Sequence, residues 1–155
     1  MELAFYLSMS WLVITYLVAA THRKEAIRSI LVYFIFTMLT VSTFTIVSLN
    51  LQLIQVSQDK IKFLSLLISR NVIVPILVII FTNIFYRLTG YKKIMPVALL
   101  LTIVMLLEFI NLKFQIYSYT GWSFGLTFIT NIFSISVAFI IGKCINIIQL
   151  RSEYK

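Results

Sequence analysis

IMPVALLLTIVMLLEFINL, residues 94–112, is an unbroken apolar run with a single charge in it, Glu108. A bilayer's hydrocarbon core is about 30 Å thick, and a helix needs about 20 apolar residues to cross it. The run is continuous rather than alternating, which excludes a barrel strand with its period of two. In lipid every backbone N–H and C=O must be paired within the segment, and that leaves a helix. Four more runs of the same kind flank this one. The five expected spans cover about residues 3–20, 29–50, 63–88, 94–112 and 123–146. Mean hydropathy of +1.01, with 61% hydrophobic and 12% charged residues over 155 positions, fits that pattern and leaves no length for a soluble domain. The expected fold is a single all-α membrane bundle of five transmembrane helices.

In a soluble chain a net charge of +8 would point to nucleic acid. Here the basic residues fall in the gaps between runs, where they meet lipid headgroups and set orientation. No continuous basic face exists to follow a phosphate backbone, so nucleic acid is not an expected partner. Glu2 precedes the first run, and Arg23, Lys24 and Arg28 follow it, the reverse of a secretory signal peptide. The first span is therefore expected to be retained, with the N-terminus outside. Nine of the 13 Lys and Arg then face the cytoplasm, Arg87, Lys92, Lys93 and Lys143 among them. Lys60, Lys62, Lys113 and Arg70 make up the rest, on the outer side or within span three. This bias gives a cytoplasmic C-terminus.

Several features modulate the spans. Ser48, Asn50, Gln52 and Gln55 make the end of the second run polar, so its helix is expected to leave the hydrocarbon near Leu49 and continue along the interface. Arg70-Asn71 interrupts the third run. Either Arg70 lies inside a full-length span, or residues 58–70 form an interfacial helix and a shorter span starts at Asn71. Pro75 lacks an N–H and crowds the carbonyl of Asn71, which predicts a kink. Pro96 sits in a first turn, where a missing donor costs little. Gly90 marks a tight turn. Between the last two spans, Tyr117, Tyr119 and Trp122 suit the headgroup level.

Polar residues inside the runs are the candidate functional groups. A charged carboxylate isolated in hydrocarbon costs at least ~2.5 kcal/mol, so Glu108 is expected to be neutral, paired or turned to the bundle interior. At ~1.5 Å per residue, Glu108 and Arg70 reach the same level of the bilayer. An Arg70–Glu108 contact is the resulting hypothesis, with Asn71 and Asn111 as further hydrogen-bonding groups. The alternative is that Arg70 snorkels outward and Glu108 bonds Lys113 or water. In the last span, Asn131 can bond across helices. Ser134, Ala138 and Gly142 form a ridge of small residues at four-residue spacing, suited to helix packing within the chain or between copies. Thr37, Thr40 and Thr43 offer a neighbouring strip. Cys144 is the one cysteine, so no internal disulfide is possible. His22 and Cys144 fall at the same surface, but no third group orients them for nucleophilic catalysis. No metal, cofactor or catalytic constellation stands out.

The second half carries a resemblance. Asn83 to Tyr86 closes span three, and a basic turn ends in Lys92-Lys93. Span four follows with its late Glu108, and an aromatic link leads to Gly121-Trp122 and the last span. Over about residues 71–142 this resembles an uncharacterised family of small five-span membrane proteins of spore-forming Firmicutes. The resemblance implies a bacterial cytoplasmic membrane and the same span count. It supplies no activity and no site.

The expected function is accordingly that of a non-enzymatic accessory, assembly or protective membrane protein. It would act by helix–helix contact with another membrane protein or with itself, without a cofactor. The alternative is a small transporter or transporter subunit that uses Glu108 as its intramembrane polar group.

Overall fold

The computed structural model describes residues 2–20 and 25–153. The expectations placed on His22, Arg23, Lys24 and Lys155, and on the side chain of Arg151, lie outside the described residues. The chain is about 85% helical. Its elements in order are α1 (Glu2–Ala20), α2 (Ala26–Thr45), β1 (Ile54–Val56), α3 (Lys60–Ile68), α4 (Val74–Arg87), α5 (Ile94–Lys113), β2 (Tyr117–Tyr119) and α6 (Phe124–Glu153). A π-turn, Ile46–Asn50, extends α2, and a second one, Ser69–Ile73, joins α3 to α4 without a break. Five helices are thus long and apolar enough to cross a membrane: Glu2–Ala19, Ala26–Asn50, Lys60–Arg87, Gly90–Lys113 and Phe124–Ile147.

The α3–α4 span is the centre of the bundle. Half of its most apolar window is buried inside the protein, against 11% for α1. α4 packs on α1, α2, α5 and α6, and contributes Ile76, Val78, Ile79, Ile80 and Phe81 to the core. Large apolar side chains on the other helices, such as Trp11, Phe34, Met38, Phe109 and Phe133, face outward.

Arg70 therefore lies within one continuous helical stretch, Lys60–Arg87, that is long enough to cross a membrane, which agrees with the first of the two alternatives. α3 starts at Lys60, three residues earlier than its hydropathy indicates, because Asp59 caps it: the Asp59 carboxylate accepts the N–H of Ile61 at 2.9 Å. The π-turn lies immediately before Pro75. An α-helix would pair the carbonyl of Asn71 with the N–H of residue 75, and proline has none. That carbonyl accepts the Tyr33 hydroxyl from α2 instead, at 2.7 Å. A freed backbone group in the middle of an apolar bundle is in this way satisfied by a neighbouring helix.

One expectation is corrected at one end of the bundle. α2 does not continue along the interface past Leu49. The chain reverses instead, with Gln52 in the left-handed region (φ 52°), and forms β1. In the link after α5, Tyr117 is buried, whereas Tyr119 and Trp122 are half-exposed. The link reverses at Gln115 (φ 50°) and forms β2. β1 and β2 pair antiparallel, Ile54 opposite Tyr119 and Val56 opposite Tyr117. The carbonyl of Leu53 accepts the N–H groups of Thr120, Gly121 and Trp122 at 3.0, 3.2 and 3.3 Å. A Cβ at Gly121 would lie 2.6 Å from the tip of the Leu53 side chain, which would have to turn aside to admit it. Ile54, Ile116 and Tyr117 then plug the end of the bundle.

The small-residue ridge of α6 is buried within the chain, against α2 and α4. A Cβ at Gly142 would stand 3.1 Å from both Thr82 and Tyr86. Gly142→Leu should therefore destabilise the protein by about 1–3 kcal/mol through overpacking. Gly125→Ala, whose Cβ meets nothing closer than 3.8 Å, serves as the control and should cost no more than the usual few tenths. Unfolding in mixed detergent micelles measures both.

Candidate functional site

Two polar clusters interrupt the apolar interior, one near each end. The first lies under the β-ribbon. The π-turn supplies Ser69 and Arg70, α5 supplies Glu108 and Asn111, and α6 supplies Thr127, Thr130 and Asn131. These residues, with Thr40, Thr43 and Phe44 of α2, line two small cavities of about 30 and 40 Å³. Arg70, Glu108 and Asn131 line both. The guanidinium of Arg70, a half-buried residue, stands 3.9 Å over the ring of Phe44, a cation–π contact.

The direct contact expected between Arg70 and Glu108 is not made: no ion pair within 4.0 Å joins these two described residues, although they face the same hollows. Glu108 takes its hydrogen bond elsewhere. The Tyr119 hydroxyl donates to Glu108 Oε1 at 2.5 Å, and also lies 2.8 Å from Thr127 Oγ1. The indole N–H of Trp122 donates to the same Thr127 oxygen at 2.9 Å. The ribbon is thereby tied to both α5 and α6. Asn111 is buried and its Oδ1 accepts the Tyr6 hydroxyl of α1 at 2.5 Å. Asn131 Nδ2 reaches Met105 Sδ at 3.7 Å. The side chain of Asn71 does not line either cavity; its backbone carbonyl is the group engaged, by Tyr33. Ser134, Ala138 and Gly142 lie further along α6 and belong to helix packing. Tyr119, Tyr6, Thr127 and Trp122 are members of the site that hydropathy does not reveal.

Burial pushes the Tyr117 and Tyr119 phenols above their ordinary value of 10.0, and the nearby Glu108 carboxyl adds to the rise.

The second cluster is at the opposite end and corrects the reading of Arg28 as a solvated gap residue. Arg28 is 4% exposed, inside α2. Its guanidinium donates to Asn83 Oδ1 at 2.9 Å and to Asn146 Oδ1 at 3.3 Å, and lies 3.4 Å from Glu25. It also sits 5.1 Å from the centre of the Tyr86 ring. Asn83 in turn donates to Ser29 Oγ at 3.3 Å, and Glu25 pairs with Arg87 at 2.8 Å. α2, α4 and α6 meet through this one buried cation. The Tyr86 hydroxyl donates to the Phe139 carbonyl at 2.5 Å, which ties α4 to α6 beside it.

Chemically, the ribbon-end cavities have room for roughly one or two water molecules each, and ligand pockets are usually ten times larger. The larger hollows, such as the one of about 430 Å³ lined by Leu101, Met105, Phe109, Phe124 and Phe128, are apolar grooves on the outer surface. Among the described residues no group of three or more His, Cys, Asp or Glu could hold a metal ion. Cys144 is exposed on α6.

No protein-family model matches this chain, and no curated protein or solved structure matches it either.

Two measurements test these clusters. Asn83→Leu removes a hydrogen bond to a charged group and should cost about 1.5–3 kcal/mol in micelle unfolding. Tyr117 and Tyr119 hold their protons more tightly in the folded state than in the unfolded chain. Their contribution is full below about pH 10 and is lost as pH rises beyond it. Ultraviolet titration should show a late-ionising tyrosine component that coincides with alkaline unfolding. The Tyr117→Phe/Tyr119→Phe variant should lack that component.

Proposed function

We propose that this chain is a five-span protein of a bacterial cytoplasmic membrane, N-terminus outside and C-terminus in the cytoplasm. It acts without catalysis, as an accessory, assembly or protective protein that works by helix–helix contact. The observation that carries the reading is the state of Glu108. Its carboxyl group is capped by Tyr119 beside cavities of about 30 and 40 Å³, a setting that braces helices rather than passes a solute. Support for the orientation comes from the surplus of Lys and Arg around α2's start and the α4–α5 turn. The likeness of residues 71–142 to small five-span proteins of spore-forming Firmicutes supports the bacterial membrane.

α1 is the helix offered to a partner. It is the least buried span, and its outward face carries Leu7, Trp11, Leu12 and Val18, with Trp11 76% exposed. The hydroxyls of Ser8 and Thr15 on that helix bond back to the carbonyls of Ala4 and Trp11, so neither hydroxyl is left unmet on that face. Small and aromatic side chains on an outward stripe pack well against another helix. A second reading, a small transporter, draws on the one observation that Glu108 and Arg70 share a hydratable space.

A photo-crosslinking residue at Trp11 tests the first reading in intact bacterial membranes. It should yield one discrete protein adduct, either a partner or a second copy, and the same probe at buried Val78 should yield none. Crosslinks from Trp11 to lipid alone would contradict the proposal. Loss of a solute-dependent proton flux in Glu108→Gln would favour the transporter instead.

A further inference from the structure

The two ribbon-end cavities place a cation and a carboxyl group across a gap that neither closes. Arg70 and Glu108 border both hollows yet stay beyond ion-pair distance. Ser69, 1% exposed, lines the first hollow, and its Oγ has no partner in the protein. Nine in ten buried polar groups do have one, and an orphan of this kind marks a missing neighbour.

The remaining donors and acceptors say what that neighbour is. Asn111 uses its Oδ1 for Tyr6, so its amide N–H groups are what it has left to offer. Arg70 offers only N–H donors. Glu108 has Oε1 engaged by Tyr119; its Oε2 accepts no hydrogen bond from the protein, and the neighbouring Tyr117 hydroxyl, buried and also without a partner, is one more donor on that side. Thr40 is already donating to the Phe36 and Thr37 carbonyls, at 3.0 and 3.1 Å. The hollow therefore has surplus donors on the Arg70 side and a surplus acceptor on the Glu108 side. A monatomic anion would satisfy the first and oppose the second; a cation would do the reverse. Water both accepts and donates, and the volumes of about 30 and 40 Å³ admit one or two molecules each.

We infer that these cavities hold ordered water that bridges the Arg70 guanidinium to the Glu108 carboxyl group, with Ser69 as an additional partner. The bridge fastens the π-turn of the central span to α5 through solvent rather than by direct contact. It makes Arg70 and Glu108 one energetic unit despite their separation, and it accounts for the gap between them as a filled space. A water with three or four polar partners in an otherwise apolar bundle is costly to remove.

The full-length protein in lipid nanodiscs provides the test. A structure at a resolution that shows solvent should reveal density in both cavities, within hydrogen-bonding distance of Arg70 and Glu108. Soaking with bromide should give no anomalous peak there; a bromide peak would replace water with a halide site and overturn the inference. Empty cavities, or a guanidinium in direct contact with the carboxylate, would overturn it too. The energetic arm compares Arg70→Met, Glu108→Gln and the double variant by unfolding in mixed micelles. The double variant should unfold less readily than the product of the single effects predicts, by on the order of tenfold. Ser69→Val, which fills the first hollow while leaving both charged residues in place, should shrink the measured coupling. Independent effects of the two residues would contradict the bridge.

Discussion

A hydrogen bond missing inside an apolar helix bundle has to be replaced by a neighbouring helix or by trapped water, and this constraint organises the interior. Its effect is clearest where the central span breaks its own ladder. Pro75 deprives the Asn71 carbonyl of its helical donor, and a π-turn and the Tyr33 hydroxyl take up the deficit together. The same logic places Arg28. A guanidinium at 4% exposure is sustained by Asn83, Asn146 and Glu25 around it, and its presence fixes how α2, α4 and α6 meet. The Asn71 carbonyl and the Arg28 guanidinium each favour one arrangement of helices, because the alternatives take away the partners they have here.

The ribbon is the other device. Two three-residue strands have little stability by themselves. They persist because Leu53 gathers three N–H groups on one carbonyl, and because Tyr119 and Trp122 bind side chains of α5 and α6. The connection after α2 and the connection after α5 are thereby joined into one cap. Below it lie Arg70 and Glu108, which border the same two cavities. The cap and the pair are best seen as one structure, with Tyr119 the residue common to both.

The existence and approximate limits of the spans are legible in hydropathy, because lipid demands long apolar runs. Arg70 and Glu108 are conspicuous for the converse reason: ionisable residues in such runs are rare. Their partners are not legible. Tyr119 meets Glu108 only because the chain reverses at Gln115, and nothing in local pattern announces a strand of three residues. Arg28 misleads because a basic residue at a helix start has the same appearance whether it meets headgroups or a buried asparagine. Asn83, one turn before the end of an apolar helix, is the sole hint, and it acquires meaning only when α2 and α4 are known to be neighbours. The early start of α3 has a local signal in Asp59, the oxygen-bearing residue just before the first turn.

The account depends on the central span crossing lipid, with its two ends on opposite faces. Single cysteines at Lys60 and Lys92, in a chain with Cys144 replaced by Ser, measure this in intact bacterial cells with a membrane-impermeant thiol reagent. The account predicts that position 60 is labelled from outside and position 92 only after the membrane is opened, with a cysteine at Val78 protected in both cases. Labelling of positions 60 and 92 from the same side would contradict it.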